Sequence, residues 1–229
     1  MHHEHHLKSS DTIRDIVIGM SDGLTVPFAL AAGLSGAVAK SGIIVTAGIA
    51  EIVAGSIAMG LGGFLAGRTE ADHYNSELKR EYDEIERVPE EEKKEVKEVF
   101  ADFGLSPALQ DQIADEMAKD KDKWVDFMMR YELGLEKPEA NRASQSAITI
   151  GLSYIVGGII PLSPYFFVAN SQQALYYSCA VTMVCLFVFG YFKSKVTGQP
   201  AVTGALKVLL IGALAAAAAF IMAKLINGA

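Results

Sequence analysis

The feature that most constrains this chain is an apolar run with a carboxylate inside it. From Ile13 to Val38 the sequence is long and apolar enough for a bilayer-spanning helix, which takes about 20 residues. Yet Asp22 stands in the middle of that run. An acid on an isolated helix in hydrocarbon costs roughly 3 kcal/mol on insertion scales, so such residues face a partner or a pathway rather than lipid. Gly19 and Gly23 bracket it in a Gly-x-x-x-Gly frame, which lets another helix backbone come close. If that helix is a second copy of the first, two Asp22 carboxylates meet and suit one divalent ion in charge. Pro27, just beyond, removes a backbone N–H and favours a kink. The plainer alternative caps Asp22 with Ser21 or Thr25, or pairs it with Arg14.

Four further apolar runs follow: Ile43–Ala66, Ala143–Leu162, Ala174–Phe192 and Ala201–Ile226. Helices satisfy their own backbone groups in lipid, so the expected fold is an all-α membrane protein of five transmembrane helices. The short connection Ala39–Gly42 makes a hairpin of the first two. Pro161 and Pro164 are expected to end the third, and the small residues of the fifth to pack closely on a neighbour. Five spans without evident duplication predict no internal two-fold, so any symmetry of a path would come from dimerisation. With the N-terminus inside, the inner flanks carry Lys8, Arg14, Arg68, Arg142, Lys193 and Lys195, against Lys40 and Lys224 outside; this bias orients the chain. The first run is longer than a signal-peptide core and contains an acid, so it reads as retained. The start, Met1-His-His-Glu-His-His6, is at most a weak metal-binding tail. The membrane is either a plasma (inner) membrane or that of an organelle.

Charge is concentrated in one segment. Between Arg68 and Glu139 there are 22 acidic and 12 basic residues, whereas the remainder has 5 and 8. The chain thus divides into a His-rich tail (1–12), helices one and two (13–67), an acidic helical module (68–141) and helices three to five (142–229). The module faces the cytoplasm in the orientation above. Its balance favours cations as partners and argues against nucleic acid.

No Gly or Pro interrupts the chain between Gly67 and Pro89, so the second helix is expected to continue out of the membrane. His73, Glu77, Glu81 and Glu84 then share a face. Glu92 and Glu95 follow Pro89, with Glu91 and Glu98 beside them, and Met128 and Met129 lie one turn before Glu132. Carboxylates with thioethers bias a site toward soft divalent transition ions and away from Mg²⁺ and Ca²⁺; solvated helix faces and Met as core filler are the alternative. Within the second span, Glu51 and Met59 are eight apart and so near one face, with Gly55 between. Two acids and a thioether on neighbouring helices suit the passage of such an ion. Burial favours the neutral acid and an arriving cation the anion, which is the basis of exchange against protons. Glu70-Ala-Asp-His73 is a single Glu-x-x-His, whereas a di-iron site needs two. No Walker motif, dinucleotide loop or nucleophile elbow occurs, so neither an ATP-driven pump nor an enzyme is expected. Cys179 and Cys185 fall on different helix faces, which argues against a disulfide.

Several of these stretches together resemble the vacuolar iron transporter family: Arg14-Asp-Ile-Val-Ile-Gly-Met-Ser-Asp-Gly-Leu-Thr-Val-Pro27, Thr46-Ala-Gly-Ile-Ala-Glu51, Ser56-Ile-Ala-Met-Gly-Leu-Gly-Gly63, Glu70-Ala-Asp-His-Tyr74, Phe127-Met-Met-Arg-Tyr-Glu-Leu-Gly-Leu-Glu-Lys-Pro138 and Gly157-Gly-Ile-Ile-Pro-Leu162. The resemblance implies a dimeric five-helix transporter that removes cytosolic Fe²⁺, and Mn²⁺, in exchange for protons. It implies a path at the dimer interface using Asp22, Glu51 and Met59. It also implies metal binding in the module by Glu81, Glu84, Glu92, Glu95, Met128, Met129 and Glu132, with no prosthetic group. A membrane-anchored metal-binding or storage module without transport is the rival reading.

Overall fold

The computed structural model describes residues 10–226; the His-rich start, and with it the reading of a metal-binding tail, lies outside the described residues. The described elements are helices: α1 (Ser10–Ala37), α2 (Ser41–Arg87), α3 (Pro89–Asp102), α4 (Pro107–Met117), α5 (Lys121–Phe127) running into a π-helical turn (Met128–Glu132), α6 (Arg142–Phe167), α7 (Ser171–Val196) and α8 (Ala201–Ile226). They form two compact units. One comprises the chain up to Phe64 and from Ala143 onward; the other is Leu65–Arg142.

Five helices, namely α1, α2, α6, α7 and α8, are long and apolar enough to cross a membrane, and the chain is an all-α integral membrane protein. As the absence of breakers predicts, α2 runs unbroken for 47 residues. The expected stop at Pro161 and Pro164 does not occur: both prolines lie inside α6. Pro164 cannot donate to the Ile160 carbonyl, and the Ser163 hydroxyl donates to it instead at 2.8 Å. Such local rescue lets transmembrane helices tolerate proline.

Nor is the chain without internal symmetry. The α1–α2 and α6–α7 hairpins run in register, 130 residues apart, as the pair Ser35 and Tyr165 illustrates. α1 ends at Ala37 and α6 at Phe167; α2 begins at Ser41 and α7 at Ser171. Buried Leu24, Pro27, Phe28, Ala31, Ala32 and Ser35 match buried Tyr154, Gly157, Gly158, Pro161, Leu162 and Tyr165. The two loops pair reciprocally. Ser41 N–H donates to the Ala169 carbonyl and Ser171 N–H to the Ala39 carbonyl, each at 3.1 Å, around an antiparallel bridge between Lys40 and Asn170. The sequence trace of this relation is short, Val38-Ala-Lys-Ser41 against Val168-Ala-Asn-Ser171. Packing needs only small or apolar residues at matched positions, so the two halves keep their geometry with little identity.

The acidic unit has its own core of Tyr74, Ile85, Val96, Ala114, Trp124, Val125, Met128 and Met129. Pro89 opens α3 with Glu90, Glu91 and Glu92 in its first turn, where acids complement the helix dipole. Gly104 (φ +77°) follows α3 and Gly134 (φ +63°) follows the π turn; both take the left-handed conformation that favours glycine. Asp120 caps α5 by accepting from Lys123 N–H at 3.3 Å. Lys93–Asp115 and Lys97–Asp111, each 2.8 Å, join α3 to α4. The acids of both pairs are largely exposed, so these pairs set register more than stability.

Candidate functional site

The membrane unit gathers acids from two helices around a tyrosine from a third. Tyr154 on α6 donates its hydroxyl to Glu51 Oε1 on α2. It also lies near enough to Asp22 on α1 for the two groups to interact electrostatically. Gly55, one turn beyond Glu51, makes room for the ring: a Cβ there would meet the tyrosine at 2.5–2.7 Å. The other Glu51 oxygen is buried and without a hydrogen-bond partner. An oxygen so placed is an acceptor left open to a further partner. Met59 stands half-buried on α2, two turns from Glu51, or about 12 Å along the axis. Glu51 also lines an apolar groove with Thr25, Val26 and Leu30 of α1 and Ala219 of α8.

Asp22 itself is half-buried. Thr25 donates to the Ser21 carbonyl at 2.8 Å, and Arg14 pairs with Asp11 at 3.7 Å, so neither is spent on capping Asp22. The glycines that bracket Asp22 serve a different neighbour from the one their spacing suggests. A Cβ on Gly19 would strike the backbone of Ile150, and one on Gly23 the backbone of Tyr154. The close approach is therefore to α6 of the same chain, and Gly157 completes it from the other side, 2.9 Å from Leu24 N for an added Cβ. Any second copy of α1 meets this helix by another face.

In the acidic unit the predicted glutamates converge. Glu81 is 1% and Glu92 4% exposed, and Oε2 of each is buried without a hydrogen-bond partner. Loss of water is the main cause that pushes both carboxyls up to about 7. Glu132 and Glu84 add to it at Glu81, and Glu95 and Glu81 at Glu92. Glu95 is raised by burial, then by Glu84. Glu132, exposed as a residue, is raised by partial burial of its carboxyl and then by Glu95. Glu84 is half-buried. Met128 and Met129 are fully buried in the adjoining core. Both lie at the start of the π turn, where the core closes around two consecutive side chains. Among the described residues no three His, Cys, Asp or Glu side chains are drawn tightly enough to hold a metal ion as they stand. Mutual repulsion accounts for that spacing, and the two orphaned carboxyl oxygens are the acceptors a cation would satisfy.

Two further neighbours of these sites emerge from the structure, one beyond the reach of sequence reasoning and one within it. Tyr154 lies 103 residues from Glu51, and only the fold joins them. Arg80 was legible as one turn from both Glu77 and Glu84, a spacing at which charges pair. It approaches Glu77 at 2.8 Å, Glu84 at 3.4 Å and Glu81 at 4.0 Å.

Fold and site define a multi-span helical membrane protein with carboxylates inside its spans and an acidic helical insertion after the second. The chain belongs to the VIT family, whose model matches residues 13–224. It is 54% identical to vacuolar iron transporter 1 of Tulipa gesneriana over 99% of this chain and 92% of that protein. It is 51% identical to vacuolar iron transporter 1 of Arabidopsis thaliana, over 99% and 90%. Similarity extends to protein CCC1 of Saccharomyces cerevisiae at 39% identity, over 94% of this chain and 69% of that one.

Proposed function

We propose that this protein is a transporter, not an enzyme, and that it carries Fe²⁺, and Mn²⁺, out of the cytosol in exchange for protons. Its relatives bear the name of vacuolar iron transporters, which supports iron as cargo and an organelle membrane as its place. The observation that carries the exchange reading is Glu51. One of its oxygens is held by Tyr154 while the other is buried and unpartnered, close to the tyrosine that also senses Asp22. A buried, unpartnered carboxyl oxygen is the acceptor that an arriving cation would satisfy. Met59 supplies a soft ligand two turns on, which favours Fe²⁺ and Mn²⁺ over Ca²⁺.

The acidic module, cytoplasmic in this reading, collects ions through Glu81, Glu84, Glu92, Glu95 and Glu132 with Met128 and Met129, and supplies the path without being part of it. The working unit is a homodimer. Ile18 and Val26 are exposed on α1 with half-buried Asp22 between them, while their counterparts Ile148 and Val156 on α6 flank Leu152. Lipid suits the α6 stripe, whereas the acid in the α1 stripe needs cover. Reconstituted vesicles with imposed pH gradients test transport against Fe²⁺, Mn²⁺, Zn²⁺ and Ca²⁺. Fe²⁺ flux that follows the gradient and acidifies or alkalinises the lumen accordingly is expected. Ion binding without flux under either gradient would leave a membrane-anchored storage module.

A further inference from the structure

We propose that Arg80 is a tethered counter-ion that moves between a holding carboxylate, Glu77, and the metal-collecting glutamates, and so sets the affinity of the acidic module. The inference rests on the module reading above. Arg80 is the cation within 4.0 Å of three acids on its own helix: Glu77 at 2.8 Å, Glu84 at 3.4 Å and Glu81 at 4.0 Å. Its field also reaches Glu95 on α3 and Glu132 in the π turn, where it acts against the repulsion of the other carboxylates. It therefore stands where a divalent ion would stand electrically. The buried, unpartnered Oε2 atoms of Glu81 and Glu92 mark that the cluster still lacks a ligand at its inner end.

The Arg80 side chain is 52% exposed, so it is free to swing on its long stem. Glu77 is the shortest of its pairs, is 17% exposed and is one turn back from the collecting acids. It gives the guanidinium somewhere to go when metal arrives. Arg80 rests on Glu77 and reaches Glu84 and Glu81 from there, limiting their repulsion; a divalent ion competes for those two carboxylates and leaves Arg80 to Glu77 alone. Lowered affinity is what a collecting site needs if its ions are to be passed on.

The sign of the effect separates this role from a structural one. Losing a structural arginine weakens binding, whereas losing a competing cation strengthens it. Mn²⁺ binding to the full chain in detergent, followed by the paramagnetic resonance of free Mn²⁺, is the measurement, reading the class of sites removed by Glu81→Gln with Glu92→Gln. Arg80→Gln is expected to tighten that class by about three- to tenfold at low salt, with the gain shrinking as ionic strength rises. Arg80→Lys keeps the charge but loses the forked geometry, so it should fall between the parent and Arg80→Gln. Glu77→Gln should weaken binding in the parent, and clearly less so in the Arg80→Gln background, where only its direct field on Glu132 is lost. Weaker or unchanged binding in Arg80→Gln overturns the proposal, and so does a Glu77→Gln loss that persists undiminished without Arg80, which would make Glu77 a ligand. If the Glu81→Gln, Glu92→Gln pair removes no Mn²⁺ sites, the module reading itself falls and this inference with it.

Discussion

At the scale of single residues, the membrane acids differ in how they are held. Glu51 is anchored by Tyr154 and left with one free oxygen; Asp22 has no capping Thr25 or Arg14. Asp22→Asn keeps shape and a carbonyl but cannot exchange a proton. It should insert and assemble normally and lose at least about tenfold in Fe²⁺-driven proton movement, equivalent to a lost charged interaction of roughly 1.5–3 kcal/mol. A parental rate with unchanged pH dependence would make Asp22 structural and leave the coupling to Glu51. Tyr154→Phe strands a second oxygen of Glu51 in a buried place. Its flux should fall by a few-fold with its pH optimum displaced, and an unmoved pH profile would show that the tyrosine only fills space. Met59→Ala removes only a soft ligand, so Fe²⁺ transport should drop while assembly persists.

Helices and their termini form the next scale. The acidic unit pairs a hydrophobic core with glutamates that burial raises to about 7. A carboxyl whose folded-state value lies above its unfolded one, near 4.5 for Glu, binds protons more readily when folded. Its contribution to stability is present below the unfolded value, declines as pH rises from there through about 7, and is flat above. The metal-free unit should therefore resist denaturant better at pH 5.5 than at pH 8, and Mn²⁺ should reverse the difference at pH 8. The chain's single tryptophan, Trp124, sits 3% exposed in this core, so its emission reads the transition. Equal midpoints at the two pH values without metal would mean that the glutamates are relieved in another way. In the spans, Gly23→Val would drive side-chain atoms into the Tyr154 backbone. Overpacking costs about 1–3 kcal/mol, and here it also displaces the residue that holds Glu51. Low yield of folded protein is expected, whereas Gly62→Ala, with no neighbour within 4 Å of an added Cβ, should be silent.

For the whole molecule, the internal repeat supplies its own control. Ile18 and Ile148, and Val26 and Val156, are equivalent exposed residues on the two hairpins, but only Ile18 and Val26, both on α1, flank an acid. Single cysteines at Ile18 or Val26, with Cys179 and Cys185 replaced by Ser, should cross-link between copies in vesicles. Cysteines at Ile148 or Val156 should not. The reverse outcome would place the dimer seam on α6 and leave Asp22 to be covered otherwise.

The sequence by itself determined the five spans and the unbroken α2 and put forward the acids of both candidate sites, because hydrophobic length, the absence of breakers and charge runs are local properties that need no partner. Helix starts at Pro89 and Pro107 and the glycine stops at Gly104 and Gly134 were legible for the same reason. The tertiary structure decided what those elements meet. The Gly19–Gly23 frame specifies close approach without saying to what, and α6 took it. Pro161 and Pro164 are breakers only where freed carbonyls find no donor, and Ser163 supplies one. The repeat of the hairpins lay hidden because the matched positions share burial but neither identity nor size, as Phe28 and Gly158 or Ser35 and Tyr165 show. Tyr154 reached Glu51 across 103 residues, and the core of the acidic unit closed over both Met128 and Met129. Such outcomes depend on which backbones can approach and on which buried groups must then be satisfied, and no local pattern in a single chain encodes that choice.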